Sequence, residues 1–151
     1  MKDYERDIHR HIEEFGCSVT SVVDPDGKEP TFSYSIGIAK TTSQPEVIVV
    51  GLRTELGHWI INEYSRRAKA GEEFAPGVLY LGFLEGFAVQ FGHVSRDHRS
   101  EYMRSATWLH GTPDFSALQL IYPNTSGVWP WDDDADDWFR ANQPLLAGSH
   151  S

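Results

Sequence analysis

The chain has 151 residues, of which 40% are hydrophobic and 13% aromatic, so it fits one folded domain rather than a disordered segment. Its 22 acidic residues outnumber its 13 basic ones and give a formal net charge of −9. This charge repels a phosphate backbone and argues against a nucleic-acid partner. The single cysteine excludes an intrachain disulfide.

Compartment and domain organisation are also indicated by composition. The chain opens with charged residues and holds no run of about 18 apolar residues that would span a bilayer. We therefore expect a cytoplasmic protein without a membrane partner. Residues 1–151 are expected to form a single domain with a short flexible tail at 147–151.

The N-terminal third predicts one helix and a hairpin. Apolar residues at helical spacing predict a helix over 3–15, and Gly16 is placed to end it. Alternating residues then predict strands over 17–23 and 31–38, which the turn-forming run 24–30 separates.

The second of these strands has two unlike faces. One face is bulky, whereas the other carries only small residues, namely Thr31, Ser33, Ser35 and Gly37. A face without bulky side chains lets a helix, a neighbouring sheet or a flat ligand approach the backbone closely.

The remaining elements complete an α+β pattern. A continuous apolar run predicts a central strand over 46–52, and a helix is predicted over 54–69. The further predicted strands are 78–83, 87–94 and 115–122. Residues 96–110 fit either a helix or a structured loop. With about six strands and two or three helices, we expect a mostly antiparallel curled sheet or a small barrel.

Three sequence blocks carry a family resemblance. They are 29–37, 45–52 and 118–131, the last followed by 143–146. Together they resemble the bacterial family catalogued as domain of unknown function 4262, over about residues 15–146. That family brings no established activity, cofactor or catalytic residue, so the resemblance implies one structural unit and no particular reaction. The family pattern has Asp where this chain has Asn124, which puts any role for a carboxylate there in doubt.

A second similarity is architectural. The order of strand, Asp-Pro-Asp-Gly turn, Ser-rich strand, apolar strand and helix is similar to the opening half of the flavin-reductase type of split barrel. The cofactor stays open, and the similarity is compatible with flavin lying on the face of small residues with its phosphate near Arg53. No diagnostic motif accompanies it.

Two segments hold the strongest candidates for ligand contacts. Arg53 and Thr54 follow a buried strand and open a helix, so they suit an anion site, although Thr54 as a plain N-cap explains the same pattern. Trp129 and Trp131 flank Pro130 in an irregular segment, where they either lock the fold or line a binding surface.

Metal and nucleophile sites are not predicted. The seven histidines lack zinc-ligand spacing, and the acidic run 132–137 lacks the pattern of a calcium loop. Cys17 has no basic neighbour in sequence that would activate its thiol.

Two functional hypotheses stand. The first is a non-catalytic binding module for a protein partner or for a small molecule. Because the chain is acidic, a protein partner with a basic surface would fit this hypothesis. The alternative is a pocket-containing enzyme or cofactor carrier of the split-barrel type. The residues predicted to contact a ligand are Tyr34, Ser35, Arg53, Thr54, Gln119, Trp129 and Trp131. We expect Tyr34, Arg53, Gln119 and Trp131 to border one pocket.

Overall fold

The computed structural model describes residues 2–147, which form an α+β fold around one six-stranded sheet. The helices are α1 (Asp3–Phe15), α2 (Ile38–Thr42), α3 (Thr54–Lys69), α4 (Arg96–Tyr102), α5 (Arg104–His110) and α6 (Asp137–Asn142). The strands are β1 (Ser18–Val22), β2 (Phe32–Ile36), β3 (Glu46–Val50), β4 (Tyr80–Leu84), β5 (Phe87–His93) and β6 (Ala117–Ile121). The predicted tail at 147–151 lies, apart from its first residue, outside the described residues.

The sheet is open and mixed. Its strand order is β1-β2-β3-β6-β5-β4, so β1 and β4 are edges. The central strands β3 and β6 run parallel, whereas their outer neighbours pair in antiparallel fashion. The prediction of a mostly antiparallel curled sheet or barrel was therefore wrong. Hairpins leave a local signal in sequence, but the β3–β6 pairing joins strands that lie far apart in the chain. The analogy with a split barrel loses its support for the same reason.

The helices exceed the predicted two or three, since residues 2–147 contain six. Both long helices, α1 and α3, have the predicted bounds. The ambiguous stretch 96–110 forms the two short helices α4 and α5. Helix α6 begins inside the acidic run, where the Asp136 carboxylate accepts a hydrogen bond from the Phe139 amide at 2.7 Å. The acidic run 132–137 therefore supplies the N-cap of α6.

Two hydrophobic cores cover the two faces of the sheet. Helix α3 packs on one face, where Tyr64 and Phe91 are buried. Helices α1, α4 and α5 contribute to the other core, which contains Ile8, Met103 and Ala106. All five residues of β3 are buried, which confirms the prediction of a central strand covered on both sides.

The face of small residues on β2 is covered by helix α3. Gly57 in α3 approaches it so closely that an added Cβ atom would lie 2.6 Å from Ser33 Oγ. Ser33 and Ser35 are both buried. A packed helix therefore occupies the space that a flat ligand would need.

A buried carboxylate, that of Glu46, joins β2, α2 and α5 at the start of β3. Its oxygens accept hydrogen bonds from the Ser35 hydroxyl at 2.7 Å and from the Ile38 amide at 3.1 Å. Two further amides of the α2 N-terminus, those of Gly37 and Ala39, donate to it at 3.0 and 3.3 Å. His110 Nε2 lies 2.8 Å from the carboxylate. The short helix α2 is thus capped by a residue that follows it in the chain.

Alkaline pH is expected to destabilise the fold through buried tyrosines. Burial raises the pKa of Tyr64 and of Tyr122 above the ordinary value of 10.0. Above that pH the unfolded chain releases these protons while the folded chain keeps them, so stability is complete below about pH 10 and falls as the pH rises further.

This behaviour is measured by following phenolate absorbance and circular dichroism along the same titration. We expect part of the absorbance of the six tyrosines to develop only together with loss of the folded signal. Full ionisation of all six in a chain that keeps its folded spectrum would contradict the prediction.

Candidate functional site

An open pocket of about 400 Å³ lies at the carboxyl ends of the parallel strands β3 and β6. We call it the strand-end pocket. Its lining residues are Gly51, Leu52, Leu84, Glu85, Phe87, Tyr122, Pro123, Asn124, Thr125, Trp138, Phe139 and Asn142. The volume falls in the range of small-molecule sites, and the carboxyl ends of parallel strands are a usual place for them.

The floor of the pocket is fixed by close backbone contact at Gly51. This residue has a φ of +95°, and an added Cβ atom would lie 2.5 Å from both the Asn142 carbonyl oxygen and Tyr122 Oη. The Asn142 side-chain amide donates to the Gly51 carbonyl at 3.1 Å, and the Tyr122 hydroxyl donates to the Val50 carbonyl at 2.7 Å. Helix α6 is therefore held directly against the end of β3.

Two glutamine side chains fasten the C-terminal segment to β6. Gln143 accepts from the Tyr122 amide at 3.0 Å and donates to the Tyr122 carbonyl at 2.9 Å. Gln119 donates to the Pro144 carbonyl at 2.8 Å and accepts from the Leu146 amide at 2.9 Å. Each side-chain amide both donates to and accepts from the backbone, as a paired strand would, and thereby holds the C-terminal segment beside β6.

The turn after β6 uses Asn124 as an acceptor. Its side-chain oxygen accepts from the amides of Ser126 at 2.9 Å and Val128 at 3.0 Å. Asn and Asp both supply such an oxygen in turns of this kind. The Asn at this position therefore preserves the local structure.

The lining is apolar and aromatic with a few polar groups. Glu85 is its single charged residue, and no Lys, Arg or His stands among the described lining residues. Burial raises the pKa of the Tyr122 phenol, which keeps this group neutral. Asn124, Thr125 and Asn142 supply hydrogen-bonding groups. Such a pocket suits an apolar group that is neutral or cationic, and it offers nothing to neutralise an anion.

Three of the predicted ligand residues are buried and already engaged. The Tyr34 hydroxyl accepts from the Ser105 amide at 3.0 Å in the core opposite helix α3. Ser35 donates to the Glu46 carboxylate, and Gln119 is held by the C-terminal segment. None of the three faces the strand-end pocket.

The other four predicted ligand residues are more accessible. Arg53, rather than Thr54, is the N-cap of α3, and its side chain is 78% exposed. Trp129 and Trp131 stack in parallel with ring centroids 5.3 Å apart, and Trp131 is 46% exposed. None of these lines one of the five described pockets. Tyr34, Arg53, Gln119 and Trp131 are therefore not brought together in one of these pockets, and ligand contact by any of the seven stays a prediction.

Residues that the sequence analysis missed form much of the pocket. Trp138 and Asn142 line the pocket because they belong to α6. Gly51 lines it because α6 packs against the end of β3. The sequence signal for α6 was Asp136, a residue type that favours the N-cap of a helix. Tyr122 and Asn124 lie in the closing block of the family pattern, where the residues predicted to contact a ligand were Gln119, Trp129 and Trp131.

A second depression, of about 600 Å³, lies at the opposite end of the sheet beside Arg99. The Arg99 guanidinium donates to the carbonyls of Pro113 at 2.7 Å and Val94 at 2.6 Å. Burial lowers the pKa of this group. The Arg99 guanidinium is thus engaged by backbone oxygens, so this depression is a weaker candidate for a binding site than the strand-end pocket.

Within residues 2–147, no three His, Cys, Asp or Glu side chains come together in a way that would hold a metal ion. Nor does that part of the chain contain a helix of the length and apolarity needed to cross a membrane.

The fold is an open, mixed-sheet α+β fold with a pocket of about 400 Å³ at its strand ends. The family model described as Domain of unknown function (DUF4262) matches residues 11–136, and the chain belongs to this family, which confirms the resemblance. Searches of curated proteins and of solved structures each found no match.

Proposed function

We propose that this protein is a non-catalytic binding module whose site is the strand-end pocket. The group that it takes is apolar and aromatic, and it is either neutral or cationic. The observation that carries the proposal is a preformed pocket of about 400 Å³ whose lining is aromatic and contains one acidic and no basic residue. Such pockets are the default binding sites of small ligands.

Rigid walls support the same proposal. The Asn142 side chain donates to the Gly51 carbonyl and the Tyr122 hydroxyl donates to the Val50 carbonyl, so both side chains are fixed to the end of β3 without a ligand. A preformed site binds without the cost of ordering its own side chains. Trp138 is 70% exposed at its edge and offers a ring face for stacking.

The alternative, a flavin enzyme or carrier, has no specific observation in its favour. The face of small residues that would receive the flavin ring is under helix α3, where Ser33 and Ser35 are buried. In the strand-end pocket, the described lining offers no cation for a flavin phosphate.

The proposal is tested with ligands that share one ring and differ in charge, namely tryptamine, indole and indoleacetate. We expect tryptamine and indole to bind and indoleacetate to bind several-fold more weakly, because Glu85 is the only charged group among the described lining residues. Saturation-transfer NMR measures all three without interference from protein fluorescence.

Two variants locate the binding. Trp138→Ala removes a stacking surface and is expected to weaken tryptamine about tenfold. Phe15→Ala removes a ring that is 59% exposed and outside the strand-end pocket, so affinity should not change. Tightest binding by indoleacetate, or equal affinities in the Trp138 variant and the unmodified protein, would refute the proposal.

A further inference from the structure

A second apolar depression adjoins the strand-end pocket. Its volume is about 360 Å³, and it shares Leu84 and Glu85 with that pocket. Its remaining lining residues are Leu56, Trp59, Gly82 and Phe83. The two depressions therefore flank the turn between β4 and β5, and together we call them the two-pocket surface.

Large apolar side chains are unusually exposed around this surface. Trp138 is 70% exposed at one depression and Trp59 is 53% exposed at the other. Leu81 on the adjoining edge strand β4 is 72% exposed. Grouped exposed apolar residues mark interaction sites, and tryptophan is the residue type most enriched at binding hot spots.

The charge at the surface is acidic. Among residues 2–147, Glu85 is the only charged residue in either lining. The acidic run 132–137 directly precedes Trp138, within a chain whose net charge is −9. Two cations beside the surface already have partners. Arg67, whose guanidinium lies 4.5 Å from the Phe83 ring, pairs with the Glu72 carboxylate at 2.7 Å. Arg140 donates to the Asp132 carbonyl at 2.7 Å. This surface favours a cationic partner and opposes a second copy of the same acidic chain.

The exposed edge strand β4 is poorly suited to bind a partner by strand addition. The Arg67 guanidinium donates to the Leu81 carbonyl at 2.8 Å, and the pairing of β4 with β5 is irregular between Tyr80 and Leu84. Gly82 within that stretch has a φ of +93°. A bulged edge with an occupied carbonyl is poorly suited to pair with another strand. Recognition here would therefore depend on side chains.

We propose that the two-pocket surface docks a polypeptide segment in which basic residues lie between two apolar side chains. One apolar side chain enters each depression, and the basic residue lies over Glu85. This inference rests on the proposed function for the strand-end pocket and extends it to a protein partner.

Synthetic peptides test the inference directly. The probes are acetylated and amidated peptides with one, two or three lysines between two tryptophans, and matched peptides with glutamate in place of lysine. Isothermal calorimetry with the full chain should detect binding of at least one lysine peptide and none of its glutamate counterpart. Raised salt should weaken this binding, because the central contact is between charges.

Three variants assign the contacts. Trp59→Ala and Trp138→Ala are each expected to weaken the lysine peptide about tenfold, whereas Trp59→Ala leaves tryptamine binding unchanged. Glu85→Gln should weaken the peptide several-fold and reduce its salt dependence. Glu101→Gln changes an exposed glutamate on α4, outside both linings, and serves as the control.

The outcomes separate this inference from the proposed function. If tryptamine binds but no lysine peptide does, or if Trp59→Ala leaves peptide affinity intact, the docking inference is overturned and the proposed function stands. If neither tryptamine nor any peptide binds, both fail. A concentration-dependent dimer that disappears in Trp59→Ala would instead assign the surface to a second copy of the chain.

Discussion

Replacement of Glu46 by alanine is expected to lower the free energy of unfolding by about 3 to 5 kcal/mol, because it removes the shared acceptor of a buried hydrogen-bond network. The variant leaves the hydroxyl of Ser35 and the amides at the start of α2 buried without their acceptor. It also removes the partner of His110. Because domains are stable by only about 5 to 15 kcal/mol, this loss is large enough to unfold a marginal protein.

Urea denaturation measures the change in the free energy of unfolding. Two further variants serve as controls for it. Glu55→Ala removes a glutamate whose side chain is 81% exposed, so a change within about 0.5 kcal/mol is expected. Glu46→Gln keeps the shape, but both oxygens of Glu46 accept backbone amides, so one amide would face the new NH₂ group. Stability close to that of the unmodified protein in Glu46→Gln would show that the carboxylate is not required.

Replacement of Gly51 by alanine is the second substitution with a large expected effect. Alanine disfavours the positive φ of this position by about 1 to 2 kcal/mol, and overpacking against fixed neighbours adds about 1 to 3 kcal/mol. The new Cβ atom would lie 2.5 Å from the Asn142 carbonyl oxygen, so α6 must move. We expect lower stability together with loss of ligand binding at the strand-end pocket.

Gly71→Ala is the matched control, since Gly71 has the same φ of +95° and nothing within 4 Å of an added Cβ atom. Thermal unfolding of both variants separates backbone strain from overlap. Equal losses of stability would mean that the contact between Gly51 and α6 contributes nothing to the free energy of unfolding. The pocket floor would then not be held rigid by this contact.

Local sequence signals predicted the elements that are stabilised locally. The apolar periodicity of α1 and α3 and the continuous apolar run of β3 gave the right element types and, for the helices, the right bounds. Helix α2 could not be predicted in this way, because its capping group is the carboxylate of Glu46, supplied from the next strand. The parallel pairing of β3 with β6 likewise has no local signal.

The pocket depends on contacts between distant parts of the chain. Asn142 and Gly51, whose hydrogen bond fixes the floor, lie 91 positions apart. Small residues on β2 signalled a close approach, but only the folded chain shows that the approaching element is α3. Tyr34 and Gln119 were predicted to contact a ligand, and in the folded chain both side chains make buried hydrogen bonds to distant backbone groups.

Backbone amide chemical-shift mapping with tryptamine tests most directly whether the strand-end pocket is the binding site that we propose. We predict that the largest changes occur at Gly51, Asn124 and Asn142, which line the pocket. Residues beside Arg99 at the opposite end of the sheet should change little. Shifts concentrated around Arg99, with the amides of the strand-end pocket unmoved, would contradict the account.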